Sequence, residues 1–476
     1  MTEGVCPVAY GAASYGSRIA IVSPRGTVTY EELERRVAVA AARLREAGCA
    51  EGMRVGLHLP TGEAYIVLLL ALLRIRCVAC PVSTRLPEQG IAAALDLIAC
   101  RVLISDDVRL HGCLEGVRIL SPEAVVNGEP GAGYSSAGLD FDQPATIIST
   151  SGSTGRPKAA LHTWGNHYFN ALGSNANIPV EPGHRWLLSL PLYHVGGLGI
   201  VSRCLLAGAT IAIPVRGEAF TQSIASLGIT HVSMVTTQLM RLLREGQTDQ
   251  LTGLSAILLG GSAFSPALLE DAYAMGLPIH TSYGLTEMTS QVTTTPPGAD
   301  LDALRTSGSC LPYRELRISE DGEILVRGRT RFLGYVEREH LHQPFDAEGW
   351  YHTGDLGTLD ERGNLVVSGR QDNMFISGGE NIQPEEIEWH LGQLTGVEQA
   401  VVVPVPDAEF GFRPVAFVRS YNAGEEIDYR AALESVLPRF KVPYAIFPLE
   451  DEQAGERMKV DRRALAARAA TLTGRA

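Results

Sequence analysis

A stretch of small polar residues, Ser149-Thr-Ser-Gly-Ser-Thr-Gly-Arg-Pro-Lys158, follows the apolar run 145–148. The apolar run predicts a buried strand, and the glycines after it allow positive φ and a close approach of the backbone to a ligand. Hydroxyl groups, backbone amides and a terminal lysine in such a loop predict phosphate binding. The residues predicted to bind phosphate are Ser151, Gly152, Ser153, Thr154, Gly155 and Lys158.

The same stretch departs from the P-loop of ordinary nucleotide hydrolases. That pattern requires a glycine, four further residues, and then Gly-Lys followed by Ser or Thr. Here Pro157 stands in the second glycine position and Ala159 follows the lysine. An ordinary P-loop NTPase is therefore not predicted, and a polar surface turn is the alternative interpretation, because Ser, Thr and Gly are common in turns.

Composition narrows the class of protein. The 476 residues are 45% hydrophobic, which predicts a globular chain with a large core. The 40 basic and 53 acidic residues give a net charge of −13 without long charged blocks, so we expect neither a nucleic-acid partner nor a polybasic membrane patch. The longest apolar run, 65–73, is too short to cross a bilayer, and no secretory signal is apparent, so we expect a cytoplasmic protein without membrane insertion.

The eight cysteines lie mostly in apolar surroundings. Cys77 and Cys80 form the one pair with metal-like spacing, but no second pair accompanies them. We therefore expect buried, reduced thiols, with no zinc and no disulfides.

Hydrophobic periodicity predicts an α/β fold. Thr29-Tyr-Glu-Glu32 is a capping-box pattern that opens an amphipathic helix ending near Gly48. Short apolar runs alternate with further helical stretches, which is typical of layered α/β architecture with buried sheets. The runs predicted as strands are 54–59, 209–213, 255–259, 322–328 and 363–367, and the stretches predicted as helices include 63–73 and 237–244.

The second half of the chain changes character twice. From 309 to 370 short strands alternate with glycines, which predicts a small β-rich subdomain. Beyond it, a helix opening at Pro384, βαβ-like material over 401–437 and an alanine-rich helix over 464–470 predict a separate C-terminal domain, 371–476.

Further motifs follow the glycine-rich stretch in a fixed order. Ser282-Tyr-Gly-Leu-Thr-Glu287, Tyr351-His-Thr-Gly-Asp355 and Arg457-Met-Lys-Val-Asp-Arg462 occur over the next three hundred residues. Together with the 149–158 stretch they resemble the motifs of the adenylate-forming enzymes, which include acyl-CoA synthetases, peptide-synthetase adenylation domains and firefly-type luciferases. The resemblance covers nearly the whole chain. It implies a large N-terminal AMP-binding domain, 1–370, followed by a small mobile α+β domain.

The resemblance also implies roles for individual residues. Tyr283 would stack on adenine, Thr286 would contact the α-phosphate, and Glu287 would bind Mg²⁺ through oxygen, as that ion prefers. Asp355 would accept both ribose hydroxyls with Arg370 beside it, Asp372 would be the hinge, and Lys459 would assist catalysis. The remaining nucleotide contacts implied by the family are Gly261, Ser262, Ser282 and Gly284. The cofactor and co-substrates implied are Mg²⁺, ATP and coenzyme A.

Within that family, two segments resemble the o-succinylbenzoate–CoA ligases of menaquinone synthesis. They are Leu188-Ser-Leu-Pro-Leu-Tyr-His-Val-Gly-Gly-Leu-Gly-Ile200 and Asn373-Met-Phe-Ile-Ser-Gly-Gly-Glu-Asn-Ile-Gln-Pro-Glu-Glu386. The resemblance implies that the small-molecule acid is o-succinylbenzoate and that Gly378 and Gly379 line a tunnel for CoA. His194 is a catalytic candidate at the acid pocket, with Arg203, Thr236, Thr237 and Gln238 as candidate lining.

Arg203 is of interest on physical grounds as well, because it interrupts the apolar 196–206 stretch of a predicted helix. A buried cation requires an anion, and o-succinylbenzoate has two carboxylates of which one is activated. A snorkelling arginine or a structural salt bridge is the alternative interpretation.

Several alternatives stay open at this point. The chain could join another aryl or acyl acid to CoA, load a carrier protein instead of free CoA, or bind nucleotide without turnover. No Gly-x-Ser-x-Gly elbow is present, which disfavours a hydrolase. His162 and His167 are interpreted as histidines on a helix surface and not as a metal pair, and self-association is left open.

Overall fold

The computed structural model describes residues 5–127, 138–150, 157–215, 217–261, 264, 266–377, 380–407, 410–420, 428–434, 436–450 and 460–475, with the backbone alone at 237 and 381. Strands and helices alternate along this part of the chain, and they are numbered here in chain order. The strands are β1 (Ile19–Ser23), β2 (Gly26–Thr29), β3 (Arg54–His58), β4 (Val78–Pro81), β5 (Val102–Ser105), β6 (Arg118–Leu120), β7 (Pro144–Thr150), β8 (Lys158–Thr163), β9 (Arg185–Leu187), β10 (Thr210–Ala212), β11 (His231–Met234), β12 (Ala256–Leu259), β13 (Ile279–Leu285), β14 (Ser290–Thr294), β15 (Ser309–Cys310), β16 (Arg314–Ile318), β17 (Glu323–Gly328), β18 (Gly334–Glu337), β19 (His340–His342), β20 (Tyr351–Leu359), β21 (Leu365–Arg370), β22 (Phe375–Ser377), β23 (Glu380–Ile382), β24 (Val397–Asp407), β25 (Gly411–Ser420) and β26 (Ala445–Pro448). The helices are α1 (Pro7–Tyr15), α2 (Tyr30–Glu46), α3 (Glu63–Arg74), α4 (Glu88–Leu97), α5 (Pro122–Val126), α6 (Trp164–Asn177), α7 (Val195–Ala207), α8 (Phe220–Leu227), α9 (Thr236–Arg244), α10 (Asp249–Thr252), α11 (Pro266–Ala274), α12 (Leu301–Leu304), α13 (Pro384–Gly392), α14 (Tyr429–Glu434) and α15 (Arg462–Leu472).

Two large sheets dominate the N-terminal part of the chain. One has the strand order β15-β14-β13-β12-β11-β9-β10-β1-β2, and the other has the order β19-β18-β8-β7-β4-β3-β5-β6. In the first sheet the strands from β13 to β1 are parallel and the pairs at both edges are antiparallel. In the second, the strands from β7 to β6 are parallel and the pairs from β7 to β19 are antiparallel. Side chains of α2, α3, α6 and α7 share one buried apolar cluster with residues of both sheets. This layered arrangement confirms the predicted α/β class.

The predicted helix after Thr29 is present as α2. The Thr29 side chain accepts a hydrogen bond from the backbone N–H of Glu32 at 3.2 Å, which satisfies one of the free donors of the first turn. The buried residues of α2 recur at helical spacing, as at Leu33, Val37 and Leu44, and they pack into the shared cluster. The local sequence therefore specifies both the start of the helix and its buried face.

Two smaller sheets follow in the second half. Strands β16, β17, β20 and β21 form a four-stranded antiparallel sheet within the segment predicted to be β-rich, whereas β18 and β19 of that segment extend the eight-stranded sheet. The last sheet contains β22 to β26, and α13 and α14 contribute to its apolar cluster. No helix in the described residues is both long and apolar enough to cross a membrane.

The predicted βαβ-like segment 401–437 is wrong in its first part. Strands β24 and β25 pair antiparallel, with Asp407 opposite Gly411, because the short connection between them leaves no room for a crossover helix. The parallel pair instead consists of β25 and β26, with α14 between them in the chain.

The interpretation of His162 and His167 as helix-surface residues is also wrong. His162 lies in β8, which is paired on both sides, and His167 lies in α6, and both side chains are buried. His162 Nε2 is 2.7 Å from the backbone oxygen of Thr286, and His167 Nε2 is 2.8 Å from Thr146 Oγ1. Burial lowers the pKa of His162 to about 4 and that of His167 to about 3, so both rings are neutral at pH 7.

The eight cysteines are free thiols. Six are buried, including Cys77 and Cys80, and Cys113 and Cys310 are exposed. Cys77 directly precedes β4 and Cys80 lies within it, and both pack as small apolar residues in buried clusters.

Candidate active site

The predicted phosphate-binding stretch lies between two paired strands. Thr150, at the end of β7, is opposite Lys158, at the start of β8. The Lys158 ammonium lies 4.7 Å from the centre of the Tyr335 ring, on the neighbouring strand β18. Ser151, Gly152, Ser153, Thr154 and Gly155 lie outside the described residues. The strands therefore fix where the lysine enters the site.

Glu287 is joined to the same tyrosine. It lies in a short 3₁₀ helix, Thr286–Met288, directly after β13. The Tyr335 hydroxyl donates a hydrogen bond to Glu287 Oε1 at 2.6 Å and is 2.8 Å from the hydroxyl of Tyr351. Burial and the nearby carboxylate raise the pKa of Tyr335, which keeps its hydroxyl a donor. Tyr335 thus connects the predicted phosphate lysine with the predicted metal ligand.

The predicted adenine and ribose residues form a second connected group. The Tyr283 hydroxyl donates to Asp355 Oδ2 at 2.6 Å, and Arg370 Nη1 donates to Asp355 Oδ1 at 2.8 Å. Asp355 and Arg370 are paired residues of β20 and β21, so the sheet itself holds them side by side. Arg370 Nε also donates to Asp372 Oδ1 at 2.8 Å.

Arg370 is a single cation between two carboxylates, Asp355 and Asp372. Burial lowers the pKa of Arg370, but its bond to Asp372 and the attraction of Asp355 outweigh that effect and raise it overall. A carboxylate has about four lone-pair positions, so the bonds from Tyr283 and Arg370 do not by themselves fill it. The Tyr351 hydroxyl is 2.8 Å from that of Tyr335. Burial, the charge of Glu287 and, to a smaller extent, that of Asp355 raise the pKa of Tyr351.

The other predicted nucleotide-binding residues lie in β13 and directly after β12. The Ser282 hydroxyl donates to the backbone oxygen of Leu259 at 2.7 Å, which joins β13 to the end of β12. Gly261 follows β12 with a φ of +88°, a conformation that favours glycine. A Cβ on Gly284 would lie 2.2 Å from the Ser290 backbone oxygen, so only glycine fits there. Ser262 lies outside the described residues.

Arg203 is buried on α7, with 1% of its surface exposed. Its Nη2 donates to Gln291 Oε1 at 2.6 Å, and its guanidinium lies 5.1 Å from the centre of the Trp186 ring. No carboxylate among the described residues pairs with it, and burial lowers its pKa to about 10. Both alternative interpretations are therefore disfavoured, because the side chain neither snorkels to solvent nor forms a salt bridge within the described residues.

The remaining predicted pocket residues lie at the starts of helices. His194 precedes α7 and its ring centre is 4.7 Å from that of Tyr193. Thr236 is buried in the first turn of α9, and Gln238 Oε1 accepts from the backbone N–H of Val235 at 3.1 Å. The side chain of Thr237 lies outside the described part of the chain. Gln238 thus caps its own helix in this structure.

The C-terminal candidates are covered only in part. Asp372 lies in the 3₁₀ helix Gln371–Asn373, between β21 and β22. Gly378, Gly379 and Lys459 lie outside the described residues. Their predicted roles therefore stay predictions.

Three residues of this site, Tyr335, Tyr351 and Gln291, have no role among the predictions made from the sequence. Tyr351 opens the segment proposed to bind ribose, so its position was a usable signal. Tyr335 lies 48 residues from Glu287, and Gln291 lies 88 residues from Arg203. No local pattern indicates contacts of that range.

Two comparisons identify the family. The family model described as AMP-binding enzyme matches residues 8–336. The chain belongs to this family. It is 32% identical over 460 residues to the 2-succinylbenzoate–CoA ligase of Bacillus cereus, with 94% of this chain and 95% of the relative covered. It is 31% identical to the enzyme of the same name from Listeria monocytogenes, with 89% and 90% covered.

Solved structures agree with this assignment. An arginine-to-lysine variant of E. coli MenE with bound OSB-AMS has a TM-score of 0.85 at 32% identity, covering 98% of this chain and 99% of that one. Bacillus subtilis MenE in complex with the acyl-adenylate intermediate OSB-AMP has a TM-score of 0.87 at 28% identity, with 98% of each chain covered. The same enzyme with ATP and magnesium has a TM-score of 0.85 at 29% identity, covering 94% of this chain and 96% of that one. The predicted adenylate-forming fold is confirmed.

Proposed function

We propose that this protein is an ATP-dependent acid–CoA ligase that activates 2-succinylbenzoate (o-succinylbenzoate) as an acyl-adenylate and transfers the acyl group to coenzyme A. The relatives that carry this name align with nearly the whole chain. The observation that carries the proposal is the convergence of Lys158, Glu287 and Asp355 on one site. Tyr335 contacts both Lys158 and Glu287, and Tyr283 donates to Asp355. Tyr283 lies near Glu287 because β13 runs directly into the short helix that carries Glu287.

In the first step, a substrate carboxylate oxygen attacks the α-phosphorus of ATP and pyrophosphate leaves. Lys158 and the 151–155 segment would hold the departing phosphates, and Asp355 would accept hydrogen bonds from the ribose hydroxyls. Tyr283 is anchored at its hydroxyl, which fixes the orientation of its ring for stacking on adenine. Catalysis of this kind depends on positioning and charge neutralisation.

Glu287 fits a magnesium site in which most of the metal ligands come from substrate phosphates and water. The described residues contain no group of three or more His, Cys, Asp or Glu side chains that could hold a metal. Mg²⁺ is commonly bound by one or two carboxylates together with substrate phosphates and water, so a single Glu suffices. When bound, the ion would neutralise phosphate charge, and Tyr335 would keep the Glu287 carboxylate in a fixed orientation.

In the second step, the CoA thiol sulfur attacks the acyl carbon and AMP leaves. We infer that Lys459 serves the first step and that residues 371–476 then rotate about Asp372, so that Gly378 and Gly379 line the approach of CoA. The position of Asp372 between two sheets, in a short 3₁₀ helix, supports a hinge there.

The preference for a dicarboxylic acid would come from Arg203. Its buried guanidinium lacks a carboxylate partner among the described residues, and the second substrate carboxylate would supply one. His194, Thr236, Thr237 and Gln238 are proposed to complete the pocket. A substrate without that carboxylate leaves the charge unpaired, which costs more than a missing methylene group.

A single assay tests the proposal. AMP release is measured with ATP, Mg²⁺, CoA and a panel of aromatic and aliphatic acids that includes 2-succinylbenzoate. We expect turnover with 2-succinylbenzoate and release of its CoA thioester. A preference for a monocarboxylate would contradict the assigned acid, and adenylate formation without transfer to CoA would favour a carrier-protein acceptor.

A further inference from the structure

Gln291 is the direct partner of Arg203. Its side chain is 3% exposed and lies on β14. Its Oε1 accepts from Arg203 Nη2 at 2.6 Å and from Ser174 Oγ at 2.8 Å, and its Nε2 donates to Thr294 Oγ1 at 2.7 Å. A flipped amide would turn its two N–H donors toward a guanidinium, so only one orientation satisfies these contacts.

Gln291, the hydrogen-bond partner of Arg203, is neutral, so the positive charge of Arg203 is not cancelled by it. A glutamate has nearly the same shape as glutamine and would form a buried ion pair with Arg203. Arg74 shows the contrast, because its equally buried guanidinium pairs with the carboxylate of Glu34. At Arg203 the glutamine fixes the direction of the guanidinium and leaves its charge uncompensated within the described residues.

A second buried cation lies beside the same residue. Arg314 is 6% exposed, and its Nε donates to the backbone oxygen of Gln291 at 2.6 Å. Its other contacts are the backbone oxygens of Pro312 and Asn170, at 2.7 and 3.1 Å. Arg203 and Arg314 are close enough to repel each other. Two cations with neutral acceptors make this region attractive to an anion.

Gln291 is also tied to the nucleotide site. It is the paired residue of Gly284 in the antiparallel β13–β14 hairpin. The strand that carries Tyr283 and leads to Glu287 is therefore hydrogen-bonded to the strand that holds Arg203 in place. One hairpin sets the distance between the guanidinium and the nucleotide residues.

We propose that Gln291 is a positioning residue that sets the specificity for a dicarboxylic acid: it orients Arg203 and, being neutral, reserves the guanidinium charge for the substrate carboxylate that is not activated. The inference rests on the proposed function of Arg203 as the acid-binding cation. Gln291 itself acts through Arg203 and need not touch the substrate.

The decisive variant is Gln291→Glu, which places a carboxylate against Arg203 with little change of shape. Two substrates are compared, 2-succinylbenzoate and 4-oxo-4-phenylbutanoate, which lacks the aromatic carboxylate. We expect kcat/KM for 2-succinylbenzoate to fall at least 30-fold, mainly through KM, and the preference for it over the monocarboxylate to fall by a similar factor. The KM for ATP should stay within threefold.

Stability supplies a second readout with the opposite sign. The new ion pair compensates a buried charge, so the Tm of Gln291→Glu should equal or exceed that of the wild type. A merely structural role for Gln291 would lower Tm and reduce turnover of both acids by the same factor. That result would overturn the inference.

A matched control is Gln143→Glu, at another buried glutamine. Gln143 Nε2 donates to the backbone oxygen of Leu73 at 3.3 Å, and the residue belongs to no part of the proposed site. We expect this variant to lose stability and to keep the wild-type ratio of kcat/KM between the two acids. A changed ratio in the control would overturn the link between substrate preference and Gln291.

The variant Arg203→Met separates this inference from the proposed function. If Arg203→Met loses the preference for the dicarboxylate but Gln291→Glu keeps it, the role of Gln291 is wrong and that of Arg203 stands. If the wild type does not use 2-succinylbenzoate, or Arg203→Met keeps the wild-type preference, the acid assignment fails and the inference fails with it.

Discussion

Replacing Arg203 by methionine should make the protein a worse enzyme without making it less stable. Methionine is close in length and apolar, so it can occupy the volume of the arginine stem. The Gln291 amide oxygen would still accept from Ser174 Oγ at 2.8 Å, so the substitution leaves no unsatisfied acceptor there. It also removes the Arg203 Nε, a buried donor without a partner.

The expected size of the stability effect follows from the buried charge. Burial lowers the pKa of Arg203 from the ordinary range of arginine to about 10, and one pKa unit corresponds to about 1.4 kcal/mol, so holding the charge costs the folded state about 3 kcal/mol. This cost is complete below pH 10, where the folded and unfolded forms are both protonated, and it fades as the pH rises above 10. The lost hydrogen bond to Gln291 offsets about 1.5–3 kcal/mol of the gain.

The net expectation is an unfolding free energy between unchanged and about 1.5 kcal/mol higher, or a Tm rise of at most about 1.5 °C for a unit of this size. For catalysis, losing one partner of a buried charge pair costs about 2–5 kcal/mol, so kcat/KM for 2-succinylbenzoate should fall about 30-fold to 4,000-fold. Differential scanning calorimetry and steady-state AMP release measure the two effects.

Arg74→Met is the matched control, because Arg74 is equally buried but pairs with the carboxylate of Glu34. That variant should be less stable than the wild type and keep its kcat/KM. The reasoning is refuted if Arg203→Met lowers Tm by several degrees, or if it keeps kcat/KM for 2-succinylbenzoate within threefold of the wild type.

Four further outcomes are expected. Lys459→Ala should lower the adenylation rate by about 10²–10³-fold, as loss of one transition-state donor does, while preformed adenylate is still converted to thioester; normal pyrophosphate exchange would contradict this. At saturating ATP, Asp372→Pro should spare the rate of adenylation and slow thioester formation, and single-turnover assays of each half-reaction would expose an equal loss in both. Tyr335→Phe removes the hydrogen bond to Glu287, so the adenylation rate should fall about tenfold, measured as pyrophosphate exchange over a range of Mg²⁺ concentrations; an unchanged rate would count against a positioning role. Burial lowers the pKa of His167 to about 3, so the unfolded protein binds a proton at this residue before the folded protein does, and the free energy of unfolding falls as the pH drops from about 6.5 toward 3. In urea titrations at several pH values, His167→Leu should lose less of its unfolding free energy over this range than the wild type. Equal losses in the two proteins would exclude this contribution.

Motifs contiguous in sequence allowed much of the site to be predicted. Tyr283 and Glu287 lie four residues apart, so one strand and the turn after it deliver both. The buried strand before the phosphate segment was readable from the run Ala145–Ile148, which is buried throughout. Local pattern and tertiary structure agree at such positions because the same few residues determine both.

The missed contacts depend on how distant elements pack. His162 and His167 are five residues apart, a spacing that says nothing about burial. Their partners, the backbone of Thr286 and the side chain of Thr146, come from other elements of the chain. The antiparallel pairing of β24 and β25 follows from the short connection between them. The apolar runs alone do not show where one strand ends and the next begins, so they do not give the length of that connection. The neutral partner of Arg203 could not be predicted, because many polar residues of the chain could have filled that position.

One guanidinium, that of Arg370, contacts both Asp355 and Asp372. A ligand that engages the first carboxylate changes how strongly the arginine can hold the second, so the two ends of this bridge are thermodynamically linked. The linkage is reciprocal: by whatever factor ribose binding alters the equilibrium position of Asp372, a displacement of Asp372 alters the affinity for ribose by the same factor. The dependence of nucleotide affinity on the position of the Asp372 carboxylate would therefore measure how strongly Arg370 couples the ribose site to Asp372.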